Sequence, residues 1–511
     1  MMKQLQNYAP GLMVWVIALI VSLCTYQDYG VSWDEPIQRT IGEVSYNYIF
    51  HQDPTLHTYI ERDHGVGFEL LLLGVEKLTG ATDFRDIFLV RHLASNIFYL
   101  FACFAGYVLA LRLFKNQGVA VLAFLLLVLH PRLYAHSFFN SKDTPLLATY
   151  LFAFLLAEWS FRTQKKGAFF LLGLVAGYAT SIRILGIYLI VCMVGFLLFD
   201  IISNSKEQKT STILRNLGLL LLGSFIGVYV FWPTLWVNPI GNFIESYQSL
   251  SHFRWEGTVL FNGVTYNSTA IPWFYLPGWF ALTTPLVWML FAAIGFCFIG
   301  VGFFRNPISF IRNNDTRNMM LYVLCFFGPV AAVIVLKSVV YDDWRHVYFI
   351  YPAMVMMAMY GLQQVSLRSK MLRNIGVVLV LIQVGVILQN MWAAHPFHQV
   401  YFNELVSDAD EYRRKNYDGD YWGSSYKQAL DYIIQQDKSD SIKVNLHSDP
   451  LINNVMFLPP TDRKRIVEAD INHASYYIVN FRGHPQDYDF DSVFVNLKVA
   501  NSTIVRAYKL R

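Results

Sequence analysis

Eleven apolar stretches, each close to the length that crosses a bilayer, run through the first 391 residues with short polar connections between them. A spanning helix needs about 20 mostly apolar residues, because in hydrocarbon the backbone must satisfy its own hydrogen bonds. The stretches lie at residues 9–27, 87–114, 117–135, 144–161, 167–182, 184–202, 214–236, 280–304, 318–339, 346–365 and 373–391. Charged residues make up 15% of the chain, against about 25% in a soluble globular protein. The pattern predicts a mainly α, polytopic membrane helix bundle over residues 1–391. Residues 392–511 read differently: a helix over 424–436 and strands over 442–446, 475–481, 493–499 and 503–509, the last two joined at Asn501-Ser502. That alternation predicts a small α/β domain.

Lys and Arg fall in every second loop. They are Lys115, then Arg162, Lys165 and Lys166, then Lys206, Lys209 and Arg215, then Arg305, Arg312 and Arg317, then Arg368, Lys370 and Arg373. The positive-inside bias puts these loops in the cytoplasm, with the N-terminus inside and the C-terminal domain outside. The first apolar run lacks a small-residue cleavage site and is expected to remain as a span. A net charge of +4 with no dense basic block excludes nucleic acid as a partner; the lipid bilayer is the expected one. All five cysteines fall in apolar runs and none forms a C-x-x-C pair, so they read as small buried hydrophobes.

The remaining loops, at 28–86, 136–143, near Arg183, 237–279 and 340–345, share the outer face with the C-terminal domain and hold most of the ionisable groups outside the spans. Asp34-Glu35 follow the first span, just before Pro36, which suits a first helical position. Either carboxylate could cap that helix, and an ionised one could take a proton from an attacking hydroxyl. Asp63-His64 lie later in the same loop, and Gly67–Leu78 reads as a short helix carrying Glu69 and Glu76. The next outer turn packs Arg132, His136, Asn140, Lys142 and Asp143 together, a density that is costly at membrane depth unless used. Arg183 interrupts an apolar stretch, and its fork suits a phosphate. Asp342-Asp343-Trp344-Arg345-His346 forms a charged turn in which Arg345 and His346 offer a second phosphate clamp. The loop 237–279 is rich in aromatic residues, Tyr247, Phe253 and Trp255 among them, and reads as a lid. Carboxylates and histidines on this face could bind a divalent metal, though no ligand spacing requires one.

Taken together, Asp34-Glu35 after the first span, Asn140-Ser-Lys-Asp143 before the fourth, Arg183, and Arg345-His346 before Tyr351-Pro352 resemble the GT-C superfamily of glycosyltransferases. The resemblance is closest to the protein O-mannosyltransferases and the aminoarabinose transferases of lipid A. It covers residues 10–390. Tyr401-Phe-Asn-Glu and Asp420-Tyr-Trp-Gly-Ser-Ser-Tyr-Lys further resemble bacterial members with an outer C-terminal domain. The resemblance implies a polyprenyl-phosphate-linked sugar as donor, inversion at the sugar, and a bacterial inner-membrane location. It implies Asp34 as general base, Glu35 orienting the acceptor, Asp143 supporting the site, and Arg183 and Arg345 holding the leaving phosphate. Lys142 and the pair Asp63-His64 depart from the O-mannosyltransferase pattern and point to a more charged donor or acceptor. The competing expectation is a secondary transporter or lipid flippase, which would place its charges near the bilayer midplane and show two related halves.

Overall fold

The computed structural model describes residues 2–203, 209–251 and 255–511. Lys206 and Phe253 lie outside the described residues. The membrane body begins with α1 (Met2–Thr25), α2 (Glu35–His51), α3 (Gly67–Thr79), α4 (Phe84–Phe114), α5 (Gln117–Val128) and α6 (Pro131–Phe139). It continues with α7 (Asp143–Thr163), α8 (Lys166–Ile182), α9 (Ile187–Ile202), α10 (Thr210–Phe231) and α11 (Pro239–Ser251). A hairpin of β1 (Thr258–Phe261) and β2 (Val264–Asn267) leads to α12 (Tyr275–Thr283), α13 (Leu286–Arg305), α14 (Pro307–Arg312), α15 (Asn314–Val335), α16 (Tyr351–Arg368) and α17 (Lys370–Ala394).

Each of the eleven expected spans appears as a helical segment, but they are not equivalent. Among the described residues, eight helices are long and apolar enough to cross a membrane. A ninth counts if α5 and α6 are taken together, across a bend of 61°. The bend falls at Pro131, which has no N–H to continue the helical ladder. The expected span 117–135 is therefore two helices rather than one. The helix α8 is apolar but only 17 residues long. α16 is buried along nearly all of its first three turns and carries Gln363, Gln364, Ser366 and Arg368 at its end. Protein rather than lipid surrounds it. Cys103, Cys192 and Cys325 are buried as expected, whereas Cys24 and Cys297 are exposed on the outward faces of α1 and α13.

Close backbone approach fixes part of the bundle. A Cβ on Gly173, Gly177, Gly223 or Gly227 would meet backbone of the partner helix at 2.1–2.3 Å, so only glycine at these four positions lets α8 and α10 approach this closely. Buried Arg91 of α4 pairs with Glu69 and, at 2.6 Å, with Glu76, while Arg39 of α2 reaches Glu76 at 3.0 Å. These ion pairs tie α2 and α3 to α4, compensating charges that would be costly if buried alone.

The C-terminal domain contains α18 (Tyr412–Asn416), α19 (Tyr426–Gln436), β3 (Ile442–Val444), α20 (Asp449–Met456), α21 (Pro460–Arg463), β4 (Ile466–Glu468), β5 (Tyr476–Val479), β6 (Val493–Val499) and β7 (Ser502–Lys509). Its sheet has the order β4-β3-β5-β7-β6, with β3 parallel to both β4 and β5 and the remaining pairs antiparallel. The expected β6–β7 turn is present, with Ala500 and Asn501 at positive φ. The sheet and α19 enclose their own core around Leu430, Ile433, Val444, Ile478 and Val505. The approach segment instead joins the core of the membrane body through Phe402, Val406, Tyr417, Tyr421 and Trp422.

Candidate active site

The turn after α1 reverses the chain and starts α2 with Pro36 in its first turn. Asp34 occupies the N-cap position but makes no side-chain cap bond. Glu35 does the local work instead: its Oε2 accepts the Ser32 N–H at 2.7 Å, and its Oε1 lies 2.8 Å from Nε2 of buried His92. Glu35 is thus turned inward, and Asp34 is left facing a cavity of about 820 Å³. Asp34 is 35% exposed and lines that cavity, and burial raises its carboxyl from the ordinary carboxylate value while Arg345 pulls the other way.

Two arginines from distant turns meet at one carboxylate. Asp143, at the start of α7, pairs with Arg183 through Oδ1 and lies 3.4 Å from Arg345 Nη1 through Oδ2. Asn140 fixes that carboxylate: its Nδ2 donates to Asp143 Oδ2 at 3.0 Å, and its Oδ1 accepts the Asp143 N–H at 2.8 Å. Arg345 Nη1 is also 3.8 Å from Asp34 Oδ2, and its Nη2 is 3.2 Å from Asp342. The Arg345 guanidinium sits between the rings of Tyr341 and Trp422, each centroid 4.8 Å away. Its Nε has no protein partner among the described residues. The fork is held flat and aimed, with capacity left for an anion.

Lys142 completes the positive edge. Its Nζ lies 3.0 Å from His64 Nδ1, and His64 Nε2 lies 3.0 Å from Glu61. Burial, and then Lys142, hold the His64 imidazole down at about 4, so the ring is neutral. It donates to Glu61 through Nε2 and accepts from Lys142 at Nδ1. Burial, and then Arg183, lower the Lys142 ammonium to about 7. His346 also faces the cavity and is held neutral by burial and by Arg345.

The C-terminal domain closes part of this space. Trp33 donates its N–H to the Trp422 carbonyl at 3.0 Å. Asn454 of α20 holds Val31 on both sides, accepting its N–H at 3.1 Å and donating to its carbonyl at 2.9 Å. Trp422 Nε1 donates to Asp342 at 3.2 Å, Tyr421 OH to Asp343 at 2.8 Å, and Arg482 Nη2 to Asp342 at 2.8 Å. One face of the domain therefore grips both the Asp34 turn and the Arg345 turn.

The structure brings Asp34, His64, Lys142, Arg183, Arg345 and His346 to the cavity wall, with Asp143 and Asn140 directly behind. Asp63 does not line it; its carboxylate accepts from Ser246 of α11 at 3.2 Å. Arg132 lies deeper, fully buried, bonded to Asp343 at 2.8 Å and to the Tyr401 carbonyl at 2.8 Å. Tyr247 and Trp255 of the aromatic loop also reach the wall. Glu61 and Arg482 were not singled out from the sequence, and Asp342 was read only as part of a charged turn, since charge in a polar loop carries no signal of what it will face. Among the described residues, no group of three or more His, Cys, Asp or Glu side chains is arranged to hold a metal ion.

Comparisons place this architecture beside solved structures of the Archaeoglobus fulgidus oligosaccharyltransferase. The form tethered to an acceptor peptide aligns at a TM-score of 0.48 and 12% identity, over 92% of this chain and 69% of that one. The complex with an inhibitory peptide and a dolichol-phosphate aligns at 0.45 and 12%, over 94% and 61%. No curated protein sequence matches the chain. Residues 63–236, a stretch that includes His64, Asn140, Lys142, Asp143 and Arg183 but neither Asp34 nor Arg345, match the family model of dolichyl-phosphate-mannose-protein mannosyltransferases.

Proposed function

We propose that this chain is a membrane glycosyltransferase that moves a sugar from a polyprenyl-phosphate carrier to an acceptor hydroxyl at the outer face of the membrane. The observation that carries the reading is the meeting of Asp34 and Arg345, 3.8 Å apart on one cavity wall, with Arg345 and Arg183 joined through Asp143. That pairing sets a proton acceptor beside cations suited to a departing phosphate.

The acceptor oxygen attacks sugar C1 as its proton passes to Asp34. The bond from C1 to the carrier phosphate breaks, and its electron pair leaves with the phosphate. A single displacement of this kind inverts C1. A weak hydroxyl nucleophile needs the carboxylate, and burial makes Asp34 a stronger base than a solvated one. Arg345, Arg183 and Lys142 offset the charge that develops on the leaving group. Ile37, Ile184, Leu185, Val333 and Leu336 line the same cavity and offer an apolar path for the first isoprene units. The carrier tail can then stay in the bilayer throughout.

Asp34→Asn keeps the shape and removes the base. In purified protein it is expected to lower transfer by about 10²-fold or more, with binding of undecaprenyl phosphate unchanged. Transfer at the wild-type rate would overturn the assignment.

A further inference from the structure

The cavity does not end at the arginines. It continues onto the outer domain, where His447, Ser448 and Pro450 follow β3, and Asn480, Arg482 and Tyr488 follow β5. The chain passes from β3 to β4 on one side of the sheet, then returns to β5 on the other side of β3. In an open α/β sheet, the crevice outside the carboxyl ends of such strands is where ligands bind, because the loops part there and leave the strand ends uncovered. In this protein the crevice opens into the same cavity as Asp34.

The chemistry of that wall is selective. Arg482, its cation, is already bonded to Asp342 and to the Tyr421 carbonyl. The other polar groups of the wall, Ser448, Asn480 and the Tyr426 hydroxyl, are neutral; Tyr426 donates to Asn480 at 3.2 Å, and Asn480 donates to the Asp420 carbonyl at 2.8 Å. Flat rings stand beside these groups. Trp33 and Trp255 lie 5.6 Å and 5.8 Å from the Arg482 guanidinium, Trp255 packs on Tyr341 at 4.1 Å, and Tyr488 packs on His484 at 4.4 Å. Neutral hydrogen-bonding groups set among rings suit a pyranose, whose hydroxyls need partners and whose C–H face lies on an aromatic surface. An extended peptide would be captured along a sheet edge. The edge strands β4 and β6 contribute nothing to the wall.

We propose that the strand-end crevice of the outer domain, formed by the segments 447–450 and 480–488, is the acceptor subsite, and that it takes a neutral saccharide whose free hydroxyl is presented to Asp34. This rests on the glycosyl-transfer reading above and adds the acceptor class to it.

The test uses the full chain in lipid nanodiscs and compares wild type with His447→Ala, Tyr488→Ala and Tyr488→Phe. Undecaprenyl phosphate is the carrier probe. A detergent extract of membranes lacking the protein, which holds lipid-phosphate sugars together with glycolipids, glycans and proteins, supplies donor and acceptors. The alanine variants are expected to bind undecaprenyl phosphate like wild type, while the apparent KM for the extract rises about tenfold and kcat changes little. Tyr488→Phe, which keeps the ring, should restore most of the loss. The sugar transferred by wild type should remain in a protease-resistant fraction. An unchanged KM in both alanine variants, or product found in protease-sensitive protein, would overturn the acceptor assignment and leave the donor chemistry standing. Wild-type protein that neither binds undecaprenyl phosphate nor transfers sugar would overturn the parent reading itself.

Discussion

Lys142 is the residue whose charge is most finely poised. Its amine lies against neutral His64 and near Arg183, and burial brings it to about 7. It carries its positive charge below that value and loses it as pH rises through it, so attraction for a carrier phosphate is lost in the same direction. The profile of kcat/KM reports groups of the free enzyme. It should fall above about pH 7, and Lys142→Arg should carry activity to higher pH, because arginine stays protonated. On the acid side, activity should rise as Asp34 ionises, at a pH above that of a solvated aspartate. Asp143 gives a different test. It compensates two arginines at once, and Arg345 is almost fully buried. Asp143→Asn should therefore cost about 3–5 kcal/mol, the usual penalty for breaking a buried pair, seen as a lowered Tm in detergent. Arg183 was visible in the sequence because a charge within an apolar stretch must be used or brought to a surface. Glu35 was harder to read. Adjacency to Asp34 gave both carboxylates the same standing, and only the fold shows Glu35 turned toward His92 and the Ser32 amide.

Among the elements, α20 and the segment Tyr421-Trp422 govern the geometry of the site. Asn454 is buried and donates to the carbonyls of Val31, Gly423 and Pro450 while accepting from Val31 N–H. Asn454→Ala would leave several of these groups unpaired, at about 1–3 kcal/mol for each buried group, and would free the Asp34 turn. Transfer kinetics should show kcat reduced at least tenfold with the donor KM nearly unchanged, since the arginines are held from other elements; equal loss in both would argue for a general folding defect. The long helices were legible because length and apolarity alone demand them. The break between α5 and α6 was not drawn, although Pro131 marks it, because the apolar run continues across it. β4 was missed because three residues, Ile466–Glu468, are too few to show a period.

At the scale of the whole molecule, the acidic, basic and histidine groups of the cavity come from seven separate stretches of chain yet line one space. A carrier that alternated its access would instead need such groups near the bilayer midplane. The proposed orientation has a direct test. In a background with the native cysteines replaced, a cysteine at Lys165 should react with an impermeant maleimide only after the membrane is opened. One at exposed Asn472 should react in intact spheroplasts. The opposite pattern would invert the topology and place the cavity inside. The gathering of Asp34, Asp143, Arg183 and Arg345 was legible as a requirement of sugar-phosphate chemistry, since each turn fell on the same predicted face. The grip of the outer domain was not, because the partners of Val31 and Trp33 lie some 400 residues away and no local pattern encodes such a contact.

That separation sets an order of assembly. The turn bearing Asp34 leaves the ribosome well before Trp422 and Asn454, which hold its backbone. A nascent chain can insert most of its helices and still lack the contacts that hold the Asp34 turn. On the proposed reading, transfer waits until the C-terminal domain has folded back onto the Asp34 turn, so copies still lacking that domain would spend no carrier-linked sugar.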